Sequence, residues 1–129
     1  NKIIAAQEFV RVLEEMEIFK ELTPQRVREI SVRMQPASFS KGDLILHEGD
    51  ILDAFHIVKI GKIAAYRYYG QSSEELVKDY KRGDYFGGAA LLNQEAIQHT
   101  FIAETDVEIL KLGKSDFDNL LSEYMLTSI

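Results

Sequence analysis

The sequence predicts a mainly β protein of the α+β class: a jelly-roll, or double-stranded β-helix, of about eight strands, flanked by N-terminal helices and a C-terminal helix. Three observations lead there. Between Pro36 and Leu112, short β-branched and aromatic runs alternate with turn signals at close, fairly even spacing. Before that stretch, and again after Gly113, apolar residues recur at helical spacing. The chain has 129 residues, 46% hydrophobic and 28% charged, which suits one core in a globular chain.

The first helix is read from Ile3, Ile4, Phe9, Val10, Val12, Leu13 and Met16. The stretch EIFKEL (17–22) breaks that pattern. Thr23-Pro24 then supplies an N-cap and a proline for the first helical position. Val27, Ile30, Val32 and Met34 extend a second helix, which Pro36 ends. This gives a helical segment over residues 1–35.

The β-roll is expected over 36–112. Its strands are LILH (44–47), AFHIVKI (54–60), KIAAYRYY (62–69), ELVKDY (75–80), IQHTFIAE (97–104) and VEILKL (107–112). Its punctuation is KGD (41–43), EGD (48–50), Gly61-Lys62, GQSS (70–73) and RGD (82–84). RGD is read as a turn rather than an adhesion motif, because it lies between two strand patterns. A short internal helix is placed near 88–93. A final helix over 114–129 carries the stripe Phe117, Leu120, Leu121, Tyr124 and Met125, capped by Ser115 or Asp116. So many strands, with helices outside them, imply a closed or folded-over roll.

Composition narrows the function. Fifteen basic and 21 acidic residues give a net charge of -6, which disfavours general affinity for nucleic acid, where contacts to phosphate dominate. There are no cysteines, so disulfides and thiolate metal sites are out, in keeping with a cytoplasmic setting. No apolar run approaches the roughly 20 residues of a membrane-spanning helix, and no signal peptide is recognisable. The chain begins at Asn1 and ends on an apolar stretch, and is read as a piece of a longer protein. His47, His56 and His99 form no metal-ligand spacing; His47 and His56 are read as strand residues, partly buried. No serine sits in a nucleophile elbow. No catalytic or metal residue and no cofactor is assigned, and the chain is not read as an enzyme.

The stretch DYFGGAALLNQEAIQHTFIAET (84–105) stands apart. A glycine turn followed by a short helix directs free backbone N–H groups outward, an arrangement that suits an anion. The alternative is a plain connection whose glycines permit a bend.

From Ile18 to Leu121 the chain resembles the cyclic-nucleotide-binding domain family. IFKELTPQRVREI resembles the segment before the family's roll, and FSKGDLILHEGDILDAFHIVKIGKIAAYRYY its first half. RGDYFGGAALLN and HTFIAET resemble its phosphate-binding cassette and the strand after it. The likeness is greatest to the kinase-regulating type, with a cGMP-dependent kinase favoured over a cAMP-dependent one. It implies neighbouring cyclic-nucleotide-binding domains and a kinase catalytic domain as partners, and cGMP or cAMP as the ligand class. On the family pattern, the cassette residues here are Phe86, Gly87, Gly88, Ala89, Ala90, Leu91, Ile97, Gln98, His99 and Thr100, with Ala103 following. Tyr124 and Met125 are candidates for a lid, the alternative being that they simply pack on the roll.

The cassette departs from the family at two positions. Gly88 stands where the resemblance implies an acid for the ribose, and Ala96-Ile97 stand at the Pro-Arg positions. Losing both charged hydrogen bonds forfeits about 3–6 kcal/mol, or on the order of 10² to 10⁴ in affinity. His99 shares a face with Ile97 if the segment is a regular strand, and Gln94 and Gln98 are uncharged donors. Two readings stay open. One is a degenerate copy with weak or no nucleotide binding, acting as a structural or allosteric relay. The other is a sensor that binds cGMP, cAMP or another small ligand through non-standard contacts.

Overall fold

Two four-stranded antiparallel sheets fold over one another between helices. The structure is a computed structural model that describes the backbone of residues 2–127 and the side chains of residues 7–122. Helix α1 spans Lys2–Glu14, a 3-10 turn Glu17–Phe19 and helix α2 Pro24–Ser31. Strands follow at Gln35–Phe39 (β1), Leu44–Leu46 (β2), Ala54–Ile60 (β3), Ile63–Arg67 (β4), Glu75–Tyr80 (β5) and Tyr85–Phe86 (β6). Helix α3 is Gly88–Asn93; strands β7 (Thr100–Ala103) and β8 (Val107–Gly113) lead into helix α4, Lys114–Thr127. The sheet orders are β1-β8-β3-β6 and β2-β7-β4-β5.

Physical reasons for the elements are local. In α1, Phe9, Val12 and Leu13 are buried at i, i+3 and i+4, so one stripe faces the core, and Met16, just past the helix, is buried with them. The Thr23 hydroxyl accepts a hydrogen bond from the Arg26 N–H at 3.2 Å, and Pro24 opens α2. Side chains of β3 are buried on both faces as far as Lys59. Phe55 meets Phe117 of α4 on one face, while His56 stacks on Phe86 on the other.

The three Gly-Asp signals build one and the same turn. In S-K-G-D, H-E-G-D and K-R-G-D, the Asp side chain accepts from the N–H three residues earlier, at 2.8–2.9 Å. The Asp N–H bonds back to the carbonyl of that same residue. The glycines take φ of 91°, 98° and 87°, which only glycine adopts at no steric cost. RGD is therefore the third copy of a turn. Its arginine is engaged elsewhere: Arg82 donates to Glu15, just past α1, at 3.0 Å and to the Lys59 carbonyl at 3.0 Å.

That contact belongs to a charged clasp between α1 and the roll. The Lys59 ammonium is held by Glu8 at 2.8 Å and Glu108 at 3.1 Å, and lies over the Phe9 ring. Burial pulls its pKa down, but the hydrogen bonds to Glu8 and Glu108 outweigh that and hold it above the ordinary lysine range.

The fold corrects several boundaries. The second helix stops at Ser31, and Val32, read as part of its stripe, is exposed. Residues 35–39 form a strand instead, with Pro36 opposite Leu110. Proline is admissible there because β1 is a sheet edge. The segment 97–104 contributes a strand only over Thr100–Ala103, and 62–69 only over Ile63–Arg67. His47 falls just beyond β2 and is exposed, whereas His56 is buried, with 3% of its surface exposed. The side chains of Ile3, Ile4, Tyr124 and Met125 lie outside the described residues.

Candidate functional site

The cassette begins where β6 ends. Gly87 caps α3 with φ 89°, and a Cβ there would stand 2.5 Å from Leu52 Cδ1. Backbone conformation and space therefore both require glycine. Helix α3 runs six residues and closes on Gln94, itself left-handed at φ 52°, whose side-chain amide donates to the Leu91 carbonyl at 2.8 Å. Gln94, read from the sequence as a free donor, is thus spent on ending the helix.

The far end of the cassette is pinned by the E-G-D turn. The Gly49 N–H donates to the Ile97 carbonyl and the Ile97 N–H to the Asp50 carbonyl, at 2.9 and 3.0 Å. Ile51 pairs with Ala96 in a single β-bridge. The Thr100 hydroxyl, buried, accepts from the Glu48 N–H at 3.2 Å. Both backbone groups of Ile97 are therefore occupied, and its side chain is 7% exposed and joins the core.

Seven of the ten sequence-assigned cassette residues meet around one cavity of about 330 Å³: Phe86, Gly87, Ala89, Ala90, Ile97, Gln98 and His99. Residues 97–99 form an extended bend rather than a strand, so His99 reaches the cavity without the alternation that was expected. Leu91 is fully buried in the core, and Thr100 serves the E-G-D turn. Gly88 faces elsewhere. A Cβ on it would touch the rings of Phe55 and Phe117 at 3.5 Å, on the side of a second, apolar cavity of about 260 Å³ between the 3-10 turn and α4. The two positions that depart from the family pattern therefore face different cavities.

Ala96, named from the sequence with Ile97, also lines the cavity, and three lining residues were missed from sequence: Tyr80, Glu95 and Phe101. Phe86 and Phe101 stack with centroids 4.4 Å apart, and Tyr80 meets Phe86 edge-on at 5.2 Å. Tyr80 and Phe101 come together because β4 pairs with both β5 and β7, and Phe86 meets them from β6 of the other sheet. No local signal in the sequence ties Tyr80 to Phe101. Beneath the cavity, His56 stacks on Phe86, and its Nδ1 has no hydrogen-bond partner among the described residues. Burial, with the nearby positive charge of Lys111, pushes its pKa down to about 4, so the ring is neutral at pH 7. Among the described residues no group of histidines and acids is arranged to hold a metal ion, and no helix is long and apolar enough to cross a membrane.

Known proteins offer a comparison for this geometry. A family model described as cyclic nucleotide-binding domain matches residues 36–124. The cAMP-dependent protein kinase regulatory subunit of Hypocrea atroviridis is 40% identical over 109 residues, 84% of this chain and 22% of that protein. The chain spans about a quarter of the length of the curated relatives it matches. The solved regulatory domain of Toxoplasma gondii PKA with cAMP superposes with a TM-score of 0.85 at 24% identity, over 98% of this chain and 49% of that one. The regulatory subunit of a cAMP-independent protein kinase A from Trypanosoma cruzi, bound to guanosine, gives 0.82 at 20% identity, over 94% and 43%. At these identities the two structural likenesses speak to the fold, which is the jelly-roll expected from the sequence.

Proposed function

The chain belongs to the cyclic nucleotide-binding domain family, and from that premise we propose that it is a regulatory domain of a cyclic-nucleotide-dependent Ser/Thr protein kinase whose cassette has lost the means to hold a cyclic phosphate. One observation carries this: the side chain at the family's arginine position, Ile97, is packed into the core, and its backbone N–H and C=O are already bonded. An anion entering the cavity finds apolar surface where a forked donor is needed. The domain binds cAMP and cGMP weakly or not at all. It works instead as a structural or allosteric relay towards neighbouring cyclic-nucleotide-binding domains and a catalytic domain. The names of the curated relatives support a cAMP-dependent parent, where the sequence resemblance alone favoured a cGMP-dependent one.

Calorimetric titration with cAMP and cGMP, checked by thermal shift, tests the proposal. A ligand at 100 times its Kd adds about 2.7 kcal/mol of stability. The expected result is neither heat nor shift at micromolar nucleotide, and Kd values in the micromolar range or tighter for either nucleotide overturn the reading. Ile97→Arg is the informative variant, since residue 97 lines the cavity. It is expected to raise affinity by about 10- to 100-fold. Adding Gly88→Glu gains less, because a side chain there starts out against Phe55 and Phe117.

A second reading keeps the domain as a sensor that uses non-standard contacts. It is favoured by Gln98 and His99 lining the same cavity. Occupancy then shifts α4 against the roll, which requires the ligand to bind the two arrangements unequally.

A further inference from the structure

We propose that the second cavity, between the 3-10 turn and α4, is a ligand site for an uncharged, hydrocarbon-like small molecule. It is separate from the cassette cavity, and the inference stands whether or not the cassette binds a nucleotide.

The cavity measures about 260 Å³. Its floor is made of core side chains: Phe19, Phe55, Phe117 and Leu120 are each 6% exposed or less. Ile18, Leu22, Tyr85 and Leu121 also line it and keep open surface. A molecule entering therefore lies against aliphatic side chains and one tyrosine, and needs no free ring face. Among the described lining residues none is Asp, Glu, His, Lys or Arg, and the Tyr85 hydroxyl is the one polar side-chain group. A charged head group buried there has no partner, whereas an apolar molecule restores the packing contacts that the empty space forfeits. A recess of this volume is too small for a docked helix, whose diameter with side chains is about 10–12 Å. An apolar cavity of about 150 Å³ holds benzene, so this one suits a body of roughly ten carbon atoms.

Gly88 keeps the space open. A Cβ there already meets Phe55 and Phe117 at 3.5 Å, so a longer side chain takes up cavity volume. The departure from the family pattern at residue 88 thus leaves the recess both open and uncharged. A molecule in it touches the first residue of α3 together with Phe117, Leu120 and Leu121 of α4. Occupancy therefore favours the arrangement of the two helices that forms the cavity.

The test compares two probes alike in carbon skeleton and different in charge. 4-Phenyl-1-butanol and 4-phenylbutyrate are titrated into the chain by NMR, and intermolecular NOEs locate them. The alcohol is expected to saturate with a Kd below about 1 mM, to bind at least about tenfold more tightly than the carboxylate, and to give NOEs to the methyl groups of Leu22, Leu120 and Leu121. Gly88→Leu and, independently, Leu121→Phe add bulk to the wall, and each is expected to weaken the alcohol by at least about tenfold. Leu121→Phe decides if Gly88→Leu does not fold. No saturation at millimolar alcohol, NOEs to other side chains only, or an affinity unchanged by the added bulk would overturn the proposal. Equal affinity for the two probes would overturn the assigned ligand class. Binding that appears only after Tyr124→Ala would mean that the next turn of α4 covers the cavity, and would overturn the proposal as well. None of these outcomes bears on the cassette, which the cyclic nucleotides test.

Discussion

Gly87 and Gly88 are adjacent and chemically identical, yet the structure gives them opposite tolerances. At Gly87 a side chain meets both a left-handed backbone and Leu52. Gly87→Ala is expected to destabilise the protein by about 1–3 kcal/mol. Gly88 opens α3 without a positive φ, and a Cβ there makes ordinary contact with Phe55 and Phe117. Gly88→Ala is expected to stabilise by about 0.5–1 kcal/mol. Denaturant midpoints of the two variants decide, and equal shifts would contradict the assignment. His56 carries a pH signature of its own. Its folded pKa, about 4, lies below the ordinary histidine value of 6.5. Its contribution is therefore complete above pH 6.5 and lost as pH falls towards 4, amounting to about 3 kcal/mol. His56→Phe, which keeps the stack on Phe86, should show a correspondingly flatter loss over that window than the parent. At this scale the sequence yields the cassette positions, because a family motif numbers them. It does not yield where Gly88 points or that Gln94 ends α3, because both depend on packing against α4 and on one left-handed residue.

Helix α1 reaches the roll through charge as much as through apolar packing. Glu8 in α1 and Glu15 in the turn just after it meet Lys59 and Arg82 respectively. Glu8 is 55% exposed at its side chain, so water and salt screen its share of the clasp. A double-mutant cycle on Glu8 and Lys59 is expected to give a weak coupling that shrinks with salt. Lys59→Ala alone should cost more, about 1–3 kcal/mol, because it also strips Glu108 of its partner and uncovers Phe9. A strong coupling indifferent to salt would mean that Glu8 is far better shielded than its exposure implies. The stripe of α1 and the cap of α2 are legible as periodicity and as Thr23-Pro24. Strand β1 is not, since Pro36 and polar neighbours hide an edge strand that exists only because β8 offers it a ladder. The clasp is equally invisible: Lys59 sits 51 positions from Glu8 and 49 from Glu108.

The whole molecule was readable as a class because turns at short intervals leave a chain few options other than a roll. Sheet order was not readable, since it pairs β1 with β8 and β2 with β7 across most of the sequence. That order also brings Tyr80 and Phe101 to the cavity, which is why the sequence motif names residues on one side of it and not on the other. The same topology has a mechanical reading. Gln35, at the entry of β1, lies opposite Lys111, near the exit of β8. A pull applied through α2 and α4 therefore arrives at one end of an antiparallel pair and loads its hydrogen bonds one after another, like a zipper, instead of all together. Tension between the flanking helices should peel β1 from β8 at low force, while β3, on the other side of β8, keeps the remainder of that sheet in register.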